Sequence, residues 1–182
     1  MAGCSQTLNG LQLTCDSSKG GIKEVYIAKF PGYQTDASGN TYASGLTISG
    51  DAVTAIASGV TFYKYEFRRN TGSMTSTLNV DDANGTNYVS TDLVLQFNKM
   101  ETAKRVEMSA LSLQECLVVV VDSNNKNWVL GMNEPVLASA GTGQTGTAKG
   151  DGNFYQLTLQ ANDDTYPFEY SGDIADLTVD SN

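Results

Sequence analysis

Apolar and polar positions alternate along this chain with two different periods, and the switch between them predicts the architecture. Phe62-Tyr63-Lys64-Tyr65-Glu66-Phe67-Arg68 gives the clearest two-residue period. It sets Tyr63, Tyr65 and Phe67 on one side and Lys64, Glu66 and Arg68 on the other, as in a sheet with one covered and one wetted face. Val25–Phe30 reads as a strand stopped by Pro31-Gly32, and Leu46–Ile48 and Ala52–Ile56 read as short strands. Two longer runs, Met74–Val80 and Tyr88–Phe97, flank Asp81-Asp82-Ala83-Asn84-Gly85-Thr86-Asn87. Asn84-Gly85 is a strong reverse-turn signal, so the segment predicts a long β-hairpin over about 74–97. Leu78 and Val80 fall on a face matched by Val89, Leu93, Leu95 and Phe97, which anchors the base in a core. The polar tip has nothing to bury.

The period then lengthens. Met100, Ala103, Val106, Ala110 and Leu111 follow helical spacing, with Lys104, Arg105 and Glu107 on the other side. Asn98, with Glu101 three residues on, is the expected N-cap of an amphipathic helix over about 99–113. Cys116–Val121 is continuously apolar, so both of its faces should be covered. Asp122–Asn127 predicts a turn, and Trp128–Gly131 and 154–161 predict further strands. The pattern is α+β, mainly antiparallel β: a sandwich or barrel with one flanking helix. Residues 1–182 read as a single domain, with an irregular segment at 1–20 and an acidic one at 171–182.

Composition narrows the function. A chain of 182 residues is long enough to bury a sizeable core. Twenty acidic residues outweigh 11 basic ones, and after Lys149 there is no Lys or Arg but seven acids. Such a chain should not grip nucleic acid, whose phosphates need cationic neutralisation. Cys4, Cys15 and Cys116 form no disulfide framework and no zinc spacing; Cys116 opens an apolar strand and belongs in the core. Ala2-Gly3-Cys4 looks like a lipoprotein cleavage site, but no apolar region precedes it. No stretch is long enough to span a membrane. The expectation is a protein without a membrane anchor, made in a reducing cytoplasm.

Candidate chemistry is sparse. There is no histidine, which removes the usual general base and the commonest metal ligand. Gly141-Thr142-Gly143-Gln144-Thr145-Gly146 matches G-x-G-x-x-G. That fingerprint needs a helix to open behind it, and Thr147–Asn153 does not favour one. The segment therefore reads as a mobile surface loop, and no nucleotide, cofactor, metal or catalytic site is expected. Asp122-x-Asn124-x-Lys126 is similar to the start of a calcium loop but lacks the later glycine and glutamate. Asp163-Asp164 reads as a pair of solvated acids, and Glu66 with Arg68 as a surface or interface ion pair. Trp128, Tyr155, Tyr166 and Tyr170 fit a sugar-stacking platform or, more simply, core and interface.

The stretch NWVLGMNEPVLASAGTGQTGTAKGDGNFYQLTLQANDDTYPF resembles the C-terminal part of tail tube (major tail) proteins of tailed bacteriophages, in particular structural proteins of phages of Bacteroides-like hosts. A short aromatic strand ends in Leu130-Gly131. A small-residue loop ends in Gly150-Asp151-Gly152. A strand at Phe154–Gln160 and a closing segment near Pro167-Phe168 follow. The long hairpin, one helix and LVVVVDSNNKNWVLG upstream fit the same order, so the likeness covers roughly residues 60–170. It implies a virion protein, assembled in the host cytoplasm into rings, usually hexameric, that stack into a tube passing DNA without binding it. The partners it implies are further copies of the chain and other tail or neck proteins. Subunit contacts are expected from the hairpin tip (Asp81, Asp82, Asn84, Gly85) and from the glycine loop (Gly141, Gly143, Gly146, Lys149). The alternatives are a neck, tail-completion or capsid-decoration protein and, in another class, a carbohydrate-binding β-sandwich.

Overall fold

The computed structural model describes residues 10–11 and 15–180. Its elements before the helix are β1 (Ile22–Lys29), β2 (Tyr33–Thr35), β3 (Thr41–Ala43), β4 (Leu46–Ser49), β5 (Ala52–Ile56), β6 (Thr61–Tyr65), β7 (Ser73–Asp81) and β8 (Thr86–Asn98). Helix α1 (Thr102–Leu111) follows. Then come β9 (Cys116–Asp122), β10 (Asn127–Leu130), β11 (Leu137–Gln144), β12 (Phe154–Asp163), β13 (Phe168–Tyr170) and β14 (Thr178–Asp180). Residues 10–11 and 15–20 carry no strand or helix; the rest of the expected irregular segment, including Ala2-Gly3-Cys4, lies outside the described residues.

Two strands organise the packing. β9 is buried from Cys116 to Val121, as its unbroken apolar run requires, because it sits between β1 and β10 and is covered on both sides. Cys116, Val118 and Val120 enter one core; Leu117, Val119 and Val121 enter another. β1 does the same with Val25 and Ile27 against Tyr26 and Ala28. A bulge between Ile22 and Glu24 puts Ile22 on the Val25 side, as an extra residue in one strand must. These strands lie in an eight-stranded sheet of order β14-β6-β1-β9-β10-β13-β5-β4. Pairing is antiparallel except for β13 beside β5 and β14 beside β6.

A four-stranded antiparallel sheet, β11-β12-β8-β7, packs on one face of the large sheet. Val89, Leu93 and Leu95 of β8 and Leu157 and Leu159 of β12 are buried in or against that interface. The second core lies on the opposite face of the large sheet, which curls over Phe62, Val119, Val53 and Leu46, drawn from strands across its width. None of the sheets closes into a barrel, so the sandwich is the form the α+β expectation takes.

Burial on both faces corrects the reading of β6. The strand ends at Tyr65, and Phe62, on the side expected to be wetted, is fully buried in the second core. Tyr63, on the side expected to be covered, is exposed. The ion pair on this strand joins Lys64 to Glu24 of β1 at 2.8 Å; Glu66 and Arg68 make none with each other among the described residues. The free thiol of Cys116 is buried in the inter-sheet core, and burial pushes its pKa up to about 11.

The helix is shorter and turned differently from the expectation. β8 keeps Asn98 in its ladder opposite Phe154. The chain then turns at Lys99, whose φ is 63°, with the Lys99 and Met100 amides donating to the backbone and side-chain oxygens of Asn153. Glu101, not Asn98, occupies the N-cap. The inward stripe is Lys104, Met108 and Leu111, while Ala103, Val106 and Ala110 face outward and are exposed. Lys104 can face inward because its ammonium donates to the Asn98 carbonyl and pairs with Glu101, while its stem covers apolar surface.

Candidate assembly surface

Among the described residues, the four-stranded sheet has two unpaired edges, β7 and β11. Each strand is antiparallel to the next, so with four strands the two outer edges run in opposite directions. A β7 edge could therefore continue antiparallel into the β11 edge of another copy. The edges are also offset along the strand direction. β7 lies level with Thr86–Val94 of β8, whereas β11, read through β12, lies level with Asp92–Asn98. Closed sheets need such an offset, because their strands tilt and the register advances around the circumference.

The two faces of this sheet differ sharply. The inner face carries the core residues. Ladder positions place Thr75, Thr77, Ser90, Gln96, Gln156 and Asn162 on the outer face, with Val94, Phe154 and Leu137 among them. Asp92 is the acid near its centre, and its carboxylate accepts a hydrogen bond from the Gln160 amide at 2.9 Å. No Lys or Arg lies in β7, β8, β11 or β12. The cations sit elsewhere, as with Lys99 and Lys104 around Glu101 beside the helix and Lys126 on Glu169.

The hairpin tip is tighter than expected. β7 runs to Asp81 and β8 begins at Thr86, so only residues 82–85 lie between them rather than seven. Asp81 closes the turn. Its carboxylate accepts from the Ala83 and Asn84 amides and from the Asn84 side chain, and these bonds hold its pKa below the usual carboxylate range. Gly85 supplies the positive φ of 66°. Asp82 is exposed at the apex. Behind the tip, the inner-face residues Leu78 and Val80 are 46% and 59% exposed, because the hairpin extends past the large sheet.

The glycine segment is corrected as well. Gly141 and Gly143 are in strand β11, opposite Leu157 and Tyr155 of β12. The intervening loop is confined to residues 145–153. It is built on Asp151, whose carboxylate accepts from the Thr147 and Ala148 amides at 2.7 Å each and is held below its ordinary pKa by them. Gly146 turns the chain at φ 70°, where a Cβ would lie 2.3 Å from that of Asp151. No helix follows, so the amides are used by the loop's own carboxylate. Lys149 is exposed in the loop. Between α1 and the inner side of β11 runs a groove of about 430 Å³, with Arg105, Met108, Ala138, Gly141 and Leu157 among its walls.

Trp128, Tyr155, Tyr166 and Tyr170 are not brought together. Trp128 packs against the inter-sheet core, Tyr170 is buried in the opposite one, and Tyr166 is exposed in a loop. Asp163 is also not a solvated acid. It is 9% exposed at the end of β12, and its carboxylate accepts from the Asn133 amide at 2.9 Å and the Glu134 amide at 3.3 Å. Burial raises its pKa. Asp163→Ala is expected to cost about 2 kcal/mol, because it leaves two half-buried backbone donors without their acceptor. Asp163→Asn keeps an oxygen acceptor and should stay near wild type. A raised folded pKa contributes stability that is full below the unfolded value, near pH 4, and lost as pH rises through the folded value. Denaturant unfolding across that window should show this slope in wild type, and Asp163→Asn should lack it.

Among the described residues, no helix is long and apolar enough to cross a membrane, and no cluster of three acids or cysteines could hold a metal ion. No family model matches the chain, and no curated protein or solved structure matches it.

Proposed function

We propose that the chain is a virion structural subunit that joins into rings and stacks as a phage tail tube, a non-catalytic conduit for DNA. The observation that carries this reading is the four-stranded sheet: two free edges of opposite direction and a mostly polar outer face without one cation. Pairing β7 of each copy with β11 of the next is a heterologous contact that closes into a ring. It removes both exposed edges, which would otherwise be sites of uncontrolled association. Six copies, the number the resemblance implies, set roughly 24 strands about 4.8 Å apart, a circle roughly 37 Å across before strand tilt widens it. That leaves room for a duplex within the side chains. In this arrangement the Thr-, Ser-, Asn- and Gln-rich face lines the lumen and the large sheet lies outside. A lining that neutralises no phosphates gives DNA no electrostatic hold, and Asp92 adds mild repulsion.

The test is electron microscopy with a DNA co-sedimentation assay. Purified protein should form rings or tubes with the four-stranded sheet inward, and these should not retain DNA at about 0.15 M salt. A protein that stays monomeric over its soluble range, or tubes that hold DNA tightly, would refute the proposal.

A further inference from the structure

Leu78 and Val80 are apolar, exposed, and on the inner face of the sheet. The groove beside β11 lies on that same inner face, at the opposite edge. Sheet faces are preserved across a strand pairing. If β7 continues into the β11 of another copy, its inner-face side chains must therefore point into the space between that copy's β11 and α1. We infer that Leu78 and Val80 of one copy seat in the α1–β11 groove of the next, as the apolar key of the subunit joint. This rests on the ring reading above and adds the specific contact.

Three features of the groove fit this occupant. Its floor includes Gly141, where the missing side chain keeps the space open. Its wall offers Met108, a flexible apolar side chain suited to an irregular partner. At its rim stands Arg105, exposed and without an ion pair among the described residues. The entering hairpin carries Asp82 at its apex, unused by the turn that Asp81 closes. The two surfaces thus pair apolar side chains with an open apolar groove and an acid with a cation unpaired among the described residues.

Gly141→Val tests the groove without harming the monomer. A Cβ there meets only the Gln156 carbonyl oxygen at 3.6 Å and Leu157 Cδ1 at 3.8 Å, ordinary contacts, and its backbone is not left-handed. The variant should unfold like wild type yet lose ring and tube formation in sedimentation velocity and electron microscopy. The second measurement is a disulfide trap. Leu78→Cys with Met108→Cys, in a Cys4→Ser, Cys15→Ser background, should give on oxidation a ladder of cross-linked oligomers that Gly141→Val abolishes. If wild type assembles, Gly141→Val assembles equally, and no ladder forms, the inference fails while the ring reading stands. If wild type is monomeric throughout, both fail.

Discussion

In the proposed tube, Gln96→Lys with Asn162→Lys should turn a conduit that passes DNA into one that holds it. Both side chains stand on the outer face of the four-stranded sheet, on β8 and β12, well apart along the strands. Polar-to-lysine changes on such a face should alter subunit stability by no more than about 0.5 kcal/mol. Their effect on DNA is multiplied by symmetry, since every ring contributes every copy's pair. Each phosphate neutralised adds about −0.9 to the slope of log K against log salt. Even a few engaged lysines per ring should therefore give strong retention at low salt, falling steeply as salt rises. The same two positions changed to glutamate should leave retention undetectable. If the lysine tubes release DNA as readily as wild type, this face does not line the lumen.

Gly131→Ala should be among the most damaging single methyl additions in the chain. Gly131 follows β10 with φ 86°, and a Cβ there would lie 2.8 Å from Val136 Cγ2 and 3.0 Å from the Cys116 carbonyl oxygen. That carbonyl accepts the Val136 amide at 2.9 Å in the bridge joining the two cores' shared strand to the start of β11. Left-handed strain costs about 1–2 kcal/mol, and forcing packed backbone apart adds about 1–3. A loss near 3 kcal/mol is expected in urea unfolding, a large part of a typical total of about 5–15. Gly39 separates the two contributions: its φ is 88° but nothing lies within 4 Å of the added methyl. Gly39→Ala should therefore cost only the strain, about 1–2 kcal/mol. Equal losses at the two sites would mean that the bridge is loosely packed.

Strands were legible wherever the apolar pattern was dense. Cys116–Val121 announced both its burial and its central place, since six consecutive apolar side chains have no wetted face to spare. The hairpin was legible from Asn84-Gly85, although its strands reach closer to the turn because polar Asp81 and Thr86 still pair in the ladder. β11 was illegible. Leu-Ala-Ser-Ala-Gly-Thr-Gly-Gln has glycine where a strand usually has a β-branched residue, and its pairing is imposed by β12 beside it. The helix face is not legible from charge, because the stem of Lys104 packs inward while its ammonium reaches backbone carbonyls. Asp163 was misread because adjacent acids suggest solvent, and only the fold brings the Asn133 and Glu134 amides to it. One signal marks the small sheet in the sequence: there is no cation between Arg69 and Lys99, nor between Lys126 and Lys149, nor after Lys149. These gaps contain all four strands of the small sheet.

The parallel pairings of the large sheet bear on timing. Thr178 of β14 sits beside Thr61 of β6, and Glu169 of β13 beside Ala52 of β5. Synthesis runs from the N terminus, so β5 and β6 wait for partners that are made much later. Contacts so distant in sequence are slow to form, and an uncovered strand edge is adhesive while it waits. The four strands from Ser73 to Asp163 are all made before β13 and β14. During synthesis the two free edges of the small sheet are thus complete before β13 and β14 have joined the large one, and the rate at which those two strands dock sets how long premature association has to compete.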